Sequence, residues 1–211
     1  MKIVKIKRGK KHSALLSLDS GETLEIDLSA IEESHIHEGD ELSEEDTQKL
    51  KALSDYNRAK SRALWLLDYA DQTETCLLDK LKRAGFDEKT AKKAINRLKS
   101  LDLINDDRFA ERYALKCAQS GISKNQTYIK LISKKLDRET VKSAISKVEF
   151  DEEAAIEKLI EKKYHKNLEL NDRKETQKVI AALARKGFSF SDIKSALSKF
   201  TDEMSQEEEF Y

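Results

Sequence analysis

The residues of this chain whose types and spacing suit chemistry are its cations. Lys82–Arg83, Lys134–Lys135 and Arg185–Lys186 form basic pairs that recur at nearly even spacing, each closing an apolar-periodic stretch. Lys92, Lys93 and Arg97 follow the first pair, Lys130 and Lys142 flank the second, and Lys194 follows the third. Arg108 and Arg112 lie one helical turn apart beside Phe109 and Tyr113. Such groups hold anions, either phosphates or the carboxylates of a protein surface, through charge-assisted hydrogen bonds. The plainer reading is that a cation in the last turn of a helix complements the helix dipole, a gain of about 0.3–1 kcal/mol.

Catalytic chemistry finds no comparable footing. His35 and His37 stand two apart near a short helix, while His12 and His165 are isolated. Cys76 and Cys117 have no Cys or His partner at metal-ligand spacing, and both fall on apolar helix faces, so neither zinc nor a disulfide framework is expected. Asp106–Asp107 open a helix, where the dipole favours acids. No G-x-x-x-x-G-K or G-x-G-x-x-G loop is present. The expectation is a chain with no catalytic residue, no metal and no cofactor.

The zero net charge hides segregation. Residues 1–18 carry six positive charges and no acid, and residues 21–46 carry eleven acids and no Lys or Arg. Residues 47–200 hold 34 basic against 23 acidic residues, and residues 201–211 hold five acids and no base. A basic body with acidic flanks suits a polyanion or a protein lying on one. No apolar run reaches membrane-spanning length and no signal core opens the chain, so a reduced cytoplasmic protein without membrane contact is expected.

These residues must be positioned by helices, because the chain has no proline, six glycines and 38% charged residues. Only the first 28 residues differ. Alternating apolar positions predict strands over about 2–8, 12–18 and 22–28, with a tight turn at Asp19–Glu22. In the first strand, Ile3 falls on one side with Lys5 or Lys7, and Val4 and Ile6 on the other. A short helix should end near Gly39. Ser43 with Asp46 is a capping-box signature opening a long helix, with a break expected near Asp55–Asn57. Trp65 is assigned to helix-packing core. Further helices are predicted over 73–84, 87–101, 106–119, 123–134, 138–148, 151–166, 172–186 and 189–200.

One pattern recurs within them. "LKRAGFDEKTAKKAI" begins at Leu81, "LISKKLDRETVKSAI" at Leu131 and "LARKGFSFSDIKSAL" at Leu183. Each encodes a helix–turn–helix corner. Gly85 and Gly187 stand where a left-handed residue ends the first helix. Asp87, Asp137 and Ser189 are N-caps of the next. Phe86, Leu136 and Phe188 pair with Ala91, Val141 and Ile193 as hydrophobic staples. Lys135 replaces the glycine in the second copy, so that corner is expected to be remodelled. With one further helix upstream, each copy becomes a three-helix unit.

At this point the chain resembles the RecX family. The three corners carry the resemblance, together with "LINDDRFAERYA" (Leu103 to Ala114) and "GFSFSDIKSAL" (Gly187 to Leu197). It covers about residues 60–200, and the N-terminal sheet resembles an extra region of longer members. The resemblance implies a non-enzymatic regulator that binds RecA recombinase filaments and inhibits recombinase, ATPase and coprotease activities. That role belongs to homologous recombination, DNA repair and the SOS response. It also implies auxiliary contact with single- or double-stranded DNA.

The expected architecture is mainly α: three tandem three-helix repeats in an elongated curved body, with a small N-terminal β-meander. Its parts are 1–42 (β-rich), 43–104 (linking helix and first repeat), 105–149 (second repeat), 150–200 (third repeat) and 201–211 (a disordered acidic tail). A monomer is expected. The expected RecA- or DNA-binding residues are Lys82, Arg83, Lys92, Lys93, Arg97, Arg108, Arg112, Lys130, Lys134, Lys135, Arg185 and Lys186. The alternative is a stand-alone nucleic-acid-binding helical module of winged-helix-like kind. Base readout is disfavoured, because the second corner helices carry mostly Lys, Ala and Glu. A helical-repeat scaffold for another partner differs only in what it binds.

Overall fold

The computed structural model describes residues 1–169 and 172–208, with side chains described through residue 168 and over 172–200. It divides into two compact units between Asn105 and Asp106. In the first, β1 (Ile3–Arg8), β2 (Ser13–Leu18) and β3 (Thr23–Asp27) form an antiparallel meander in the order β1-β2-β3. Ala14, Leu16, Leu24 and Ile26 point inward and meet Ala30 of α1 (Leu28–Glu33) and Leu50 of α2 (Glu44–Tyr69). That burial supplies the second layer a sheet this small requires.

Three details differ from expectation. A bulge between Ile3 and Lys5 shifts the alternation, so Ile3 and Ile6 both face the core while Val4 is exposed. Helix α1 stops at Glu33, before Gly39, because His35 takes the left-handed conformation (φ 51°). Helix α2 runs unbroken past Asn57. Its polar residues serve tertiary bonds instead: Ser54 Oγ accepts from Asp27 N at 2.8 Å, and Asn57 Nδ2 donates to Glu33 at 3.1 Å. The capping box at its start is complete, with Ser43 and Asp46 bonding each other's backbone N–H.

The second half of α2 joins α3 (Glu74–Arg83) and α4 (Glu88–Ser100) around Ala63, Leu77, Leu81, Ala91, Ile95 and Leu98. The β-rich region and the first repeat therefore share one unit, linked by one continuous helix. Trp65 is not core. It is 57% exposed, with the Arg62 guanidinium 4.4 Å from its ring centroid.

The second unit holds two more triplets. Helices α5 (Asp106–Gln119), α6 (Lys124–Ser133) and α7 (Arg138–Ser146) enclose Ala110, Ala114, Leu131, Val141 and Ile145. Phe109 and Tyr113 stack half-buried at its edge, their centroids 5.9 Å apart. The third triplet opens with α8 (Glu152–Leu159), a π-helical turn (Ile160–Tyr164) and α9 (His165–Glu169), where one helix over 151–166 was expected. At 100° per residue, a straight helix would carry Leu168 about 120° round from Ile156. The extra residue of a π turn restores about 100° of this, and Ile156, Ile160 and Leu168 all reach the core. Helices α10 (Arg173–Arg185) and α11 (Phe190–Glu208) complete the triplet around Val179, Leu183, Phe188 and Ile193. Helix α11 extends eight residues past its expected end at 200 into the acidic tail, which was expected to be disordered. The last three residues of that tail lie outside the described residues.

Candidate partner-binding surface on the helix corners

All three corners are built alike. Gly85 (φ 95°), Lys135 (φ 63°) and Gly187 (φ 87°) each end the first corner helix in the left-handed conformation. Their N–H groups donate to Lys82 O, Ile132 O and Ala184 O at 3.0, 2.9 and 2.9 Å. The second corner is thus not remodelled. Lys135 accepts the strain, about 1–2 kcal/mol, because the flanking cap and staple still fix the turn. Asp87, Asp137 and Ser189 accept from Thr90 N, Thr140 N and Asp192 N. Hydrogen bonds to Thr90 hold Asp87 below the usual carboxylate range, and hydrogen bonds to Thr140 do the same for Asp137.

The basic residues on these like corners are engaged differently. In the first unit, Glu88 draws in both Lys92 Nζ (2.6 Å) and Lys82 Nζ (2.9 Å). Hydrogen bonds from Lys92 and then Lys82 pull its carboxyl down to about 2, and the bond to Glu88 raises Lys82. Lys93 Nζ stands 4.8 Å from the Tyr56 ring centroid, which Lys60 Nζ shares at 5.4 Å. Arg83 and Arg97 are exposed and make no ion pair among the described residues.

In the second unit, Lys130, Arg185 and Lys186 line one cleft of about 430 Å³ together with Ser123, Gln126 and Phe188. Gly187 makes this possible. A β-carbon there would stand 2.7 Å from Ser123 Oγ and 3.1 Å from Gln126 N, so the third corner presses on the first turn of α6. Ser123 Oγ donates to Lys186 O at 2.7 Å while capping Gln126 N at 3.1 Å. Glu152 Oε1 accepts from Lys124 N at 2.6 Å beside it. Arg185 Nε turns back to Ala181 O at 3.2 Å, the contact expected of a cation at a helix C-terminus. Lys134, Lys135, Arg108 and Arg112 are exposed on α5 and at the end of α6.

Sequence reasoning missed Lys60 and the Ser123–Lys186 joint. A serine cap gives no sign that its hydroxyl will also bond a carbonyl 63 residues away. It also missed the groove of about 610 Å³ between the corners, lined by Tyr128, Lys142, Ile145 and Phe188 among others.

Comparison with known proteins follows these boundaries. Residues 59–98 match a family model described as RecX, first three-helix domain, and residues 151–197 match RecX, third three-helix domain. The first match opens inside α2, where the first triplet begins. The chain is 31% identical over 172 residues to the regulatory protein RecX of Clostridioides difficile (strain 630), covering 78% of each chain. It is 29% identical over 188 residues to that of Clostridium perfringens (strain SM101 / Type A), covering 88% of each. A crystal structure of regulatory protein RecX superposes with a TM-score of 0.70 at 23% identity, covering 92% of this chain and 98% of that one. RecX from Lactobacillus salivarius gives 0.60 at 26% identity, over 69% and 96%. Corner sequence, triplet boundaries and similarity along most of its length agree: the chain belongs to the RecX family of regulatory proteins.

Proposed function

We propose that this chain is a non-enzymatic regulator that binds RecA recombinase filaments through the basic corners of its three-helix repeats and inhibits their activities. Family membership carries the reading. The gathering of Lys130, Arg185 and Lys186 at one cleft supports the place of contact, since it joins cations of two repeats on one unit. A filament and its bound strand offer acidic side chains and phosphates to such a surface, with auxiliary DNA contact through the same cations.

The test is RecA's DNA-dependent ATPase with this protein titrated in at two salt concentrations. Inhibition well below one chain per RecA monomer, weakening as salt rises, is the expected result. No inhibition at any ratio would remove the reading.

A further inference from the structure

The N-terminal β-hairpin carries the densest unpaired charge among the described residues. Lys2, Lys5, Lys7, Arg8, Lys10 and Lys11 are all exposed, and none makes an ion pair. Elsewhere lysines of this chain do pair, as Lys82, Lys92, Lys99, Lys147 and Lys199 show. The six cations could have neutralised the acids that follow them in sequence. Three of those acids stay beside the hairpin but bond its backbone and a hydroxyl instead, and a fourth reaches α2. Glu38 Oε1 accepts from Ile6 N at 2.7 Å, Asp19 Oδ1 from Lys2 N at 3.0 Å, Glu25 Oε1 lies 2.8 Å from Ser13 Oγ, and Glu22 pairs with Lys51 at 3.6 Å.

Nor is this a loose basic tail. Lys5 pairs with Ser17 and Lys7 with Leu15, while Ile6 between them pairs with inward-facing Leu16. Lys5 and Lys7 therefore share the outer face of the sheet, roughly 6.6 Å apart. The hairpin turn is held by Gly9 N donating to Ser13 O at 2.8 Å and by Ser13 Oγ 2.8 Å from Lys10 O. Lys11 takes φ 58° there and stands out with Lys10. The result is a pre-ordered row of cations along one strand and its turn.

We propose that this hairpin is a second binding surface, separate from the helix corners, that takes the phosphate backbone of a nucleic-acid strand without reading its bases. Ordered point charges along an extended strand suit a row of phosphates. The exposed face presents Val4, Lys5, Lys7 and Leu15, with Thr23 and Glu25 on β3 beyond them, and it offers neither an aromatic platform for stacking nor the Asn, Gln or paired Arg groups that read base edges. A membrane fits less well, because the same face has no aromatic or broad apolar surface to bury among lipid.

The experiment uses the full chain and no recombinase, so its outcome is independent of the proposed filament activity. Fluorescence anisotropy follows binding to a labelled thirty-nucleotide dT strand and to a mixed-sequence strand of equal length, over a salt series. The expected result is equal affinity for both strands and a steep salt dependence. The quadruple variant Lys5→Gln, Lys7→Gln, Lys10→Gln, Lys11→Gln should lower the slope of log K against log salt by about 3, at about 0.7 per phosphate contact. The matching Lys→Arg variant should keep wild-type affinity, which separates lost charge from lost fold. An unchanged slope in the Gln variant would overturn the proposal. So would binding to phosphatidylserine vesicles in the absence of binding to either strand.

Discussion

Replacing Gly187 with alanine tests how the second unit is joined. Two penalties combine there. The residue holds φ 87°, and an L-residue in that conformation costs about 1–2 kcal/mol. The new β-carbon would stand 2.7 Å from Ser123 Oγ, so Ser123 must move. Its cap to Gln126 N is worth about 1 kcal/mol, and its bond to Lys186 O about 1 kcal/mol more. Together Gly187→Ala should destabilise by about 3–4 kcal/mol. Gly85→Ala is the internal control, because φ is 95° there but nothing lies within 4 Å of its β-carbon position. Only the conformational cost of about 1–2 kcal/mol applies. Urea unfolding followed by far-ultraviolet circular dichroism reads both variants, each against its own wild-type transition. With an m-value of about 2 kcal/mol per molar, the extra 2 kcal/mol moves the midpoint by about 1 M. Hydrogen exchange in the first turn of α6 should also rise in Gly187→Ala alone. Equal losses in the two variants would refute the docking of the third corner on α6.

Other consequences are simpler to state. Lys135→Gly removes the left-handed strain and adds back unfolded-chain entropy, for a net stabilisation of about 0.5 kcal/mol; a lower unfolding temperature would contradict the retained corner. Glu88 should titrate near 2 at low ionic strength. Because its folded value is depressed from 4.5, what it adds to the first corner is present above the ordinary carboxylate value and lost as pH falls toward about 2. Salt should return the midpoint toward the ordinary value, since the group is exposed; a normal midpoint at low salt, followed by carbon-detected NMR, would remove the Lys82–Glu88–Lys92 bridge. If the cleft is the contact, reversing Lys130, Arg185 and Lys186 to glutamate should weaken ATPase inhibition more than reversing Lys82 and Lys92, with helicity unchanged in both. The opposite order would move the surface to the first repeat.

The corners were legible because each is specified locally. A left-handed stop, a cap three residues from its target N–H and a staple all sit within fifteen residues; the first and third copies formed as read, and the second formed alike although a remodelled corner was expected there. Even Lys135, which broke the glycine rule, kept φ 63°. What was not legible depends on distant partners. Asn57 looked like a helix breaker until Glu33 gave it a hydrogen bond. Trp65 looked like core because periodicity places a residue on a helix face without showing whether a neighbour covers that face. The bulge at Val4 and the π turn at Ile160–Tyr164 each insert one residue to correct a face, and neither leaves a compositional mark.

The same distinction governs the basic residues. The sequence presents three equivalent basic pairs at nearly even spacing. Packing breaks that equivalence. In the first corner a glutamate one position after the cap ties up two lysines, and a tyrosine of α2 takes a third. In the third corner the residue after the cap is Phe190, which is 67% exposed and offers no carboxylate to Lys186. The glycine beside Lys186 instead lets that corner close on Ser123, which brings Arg185 and Lys186 to Lys130. A repeated motif therefore fixes where cations stand on each unit. Which of them face a partner is set by the single residues where the copies differ.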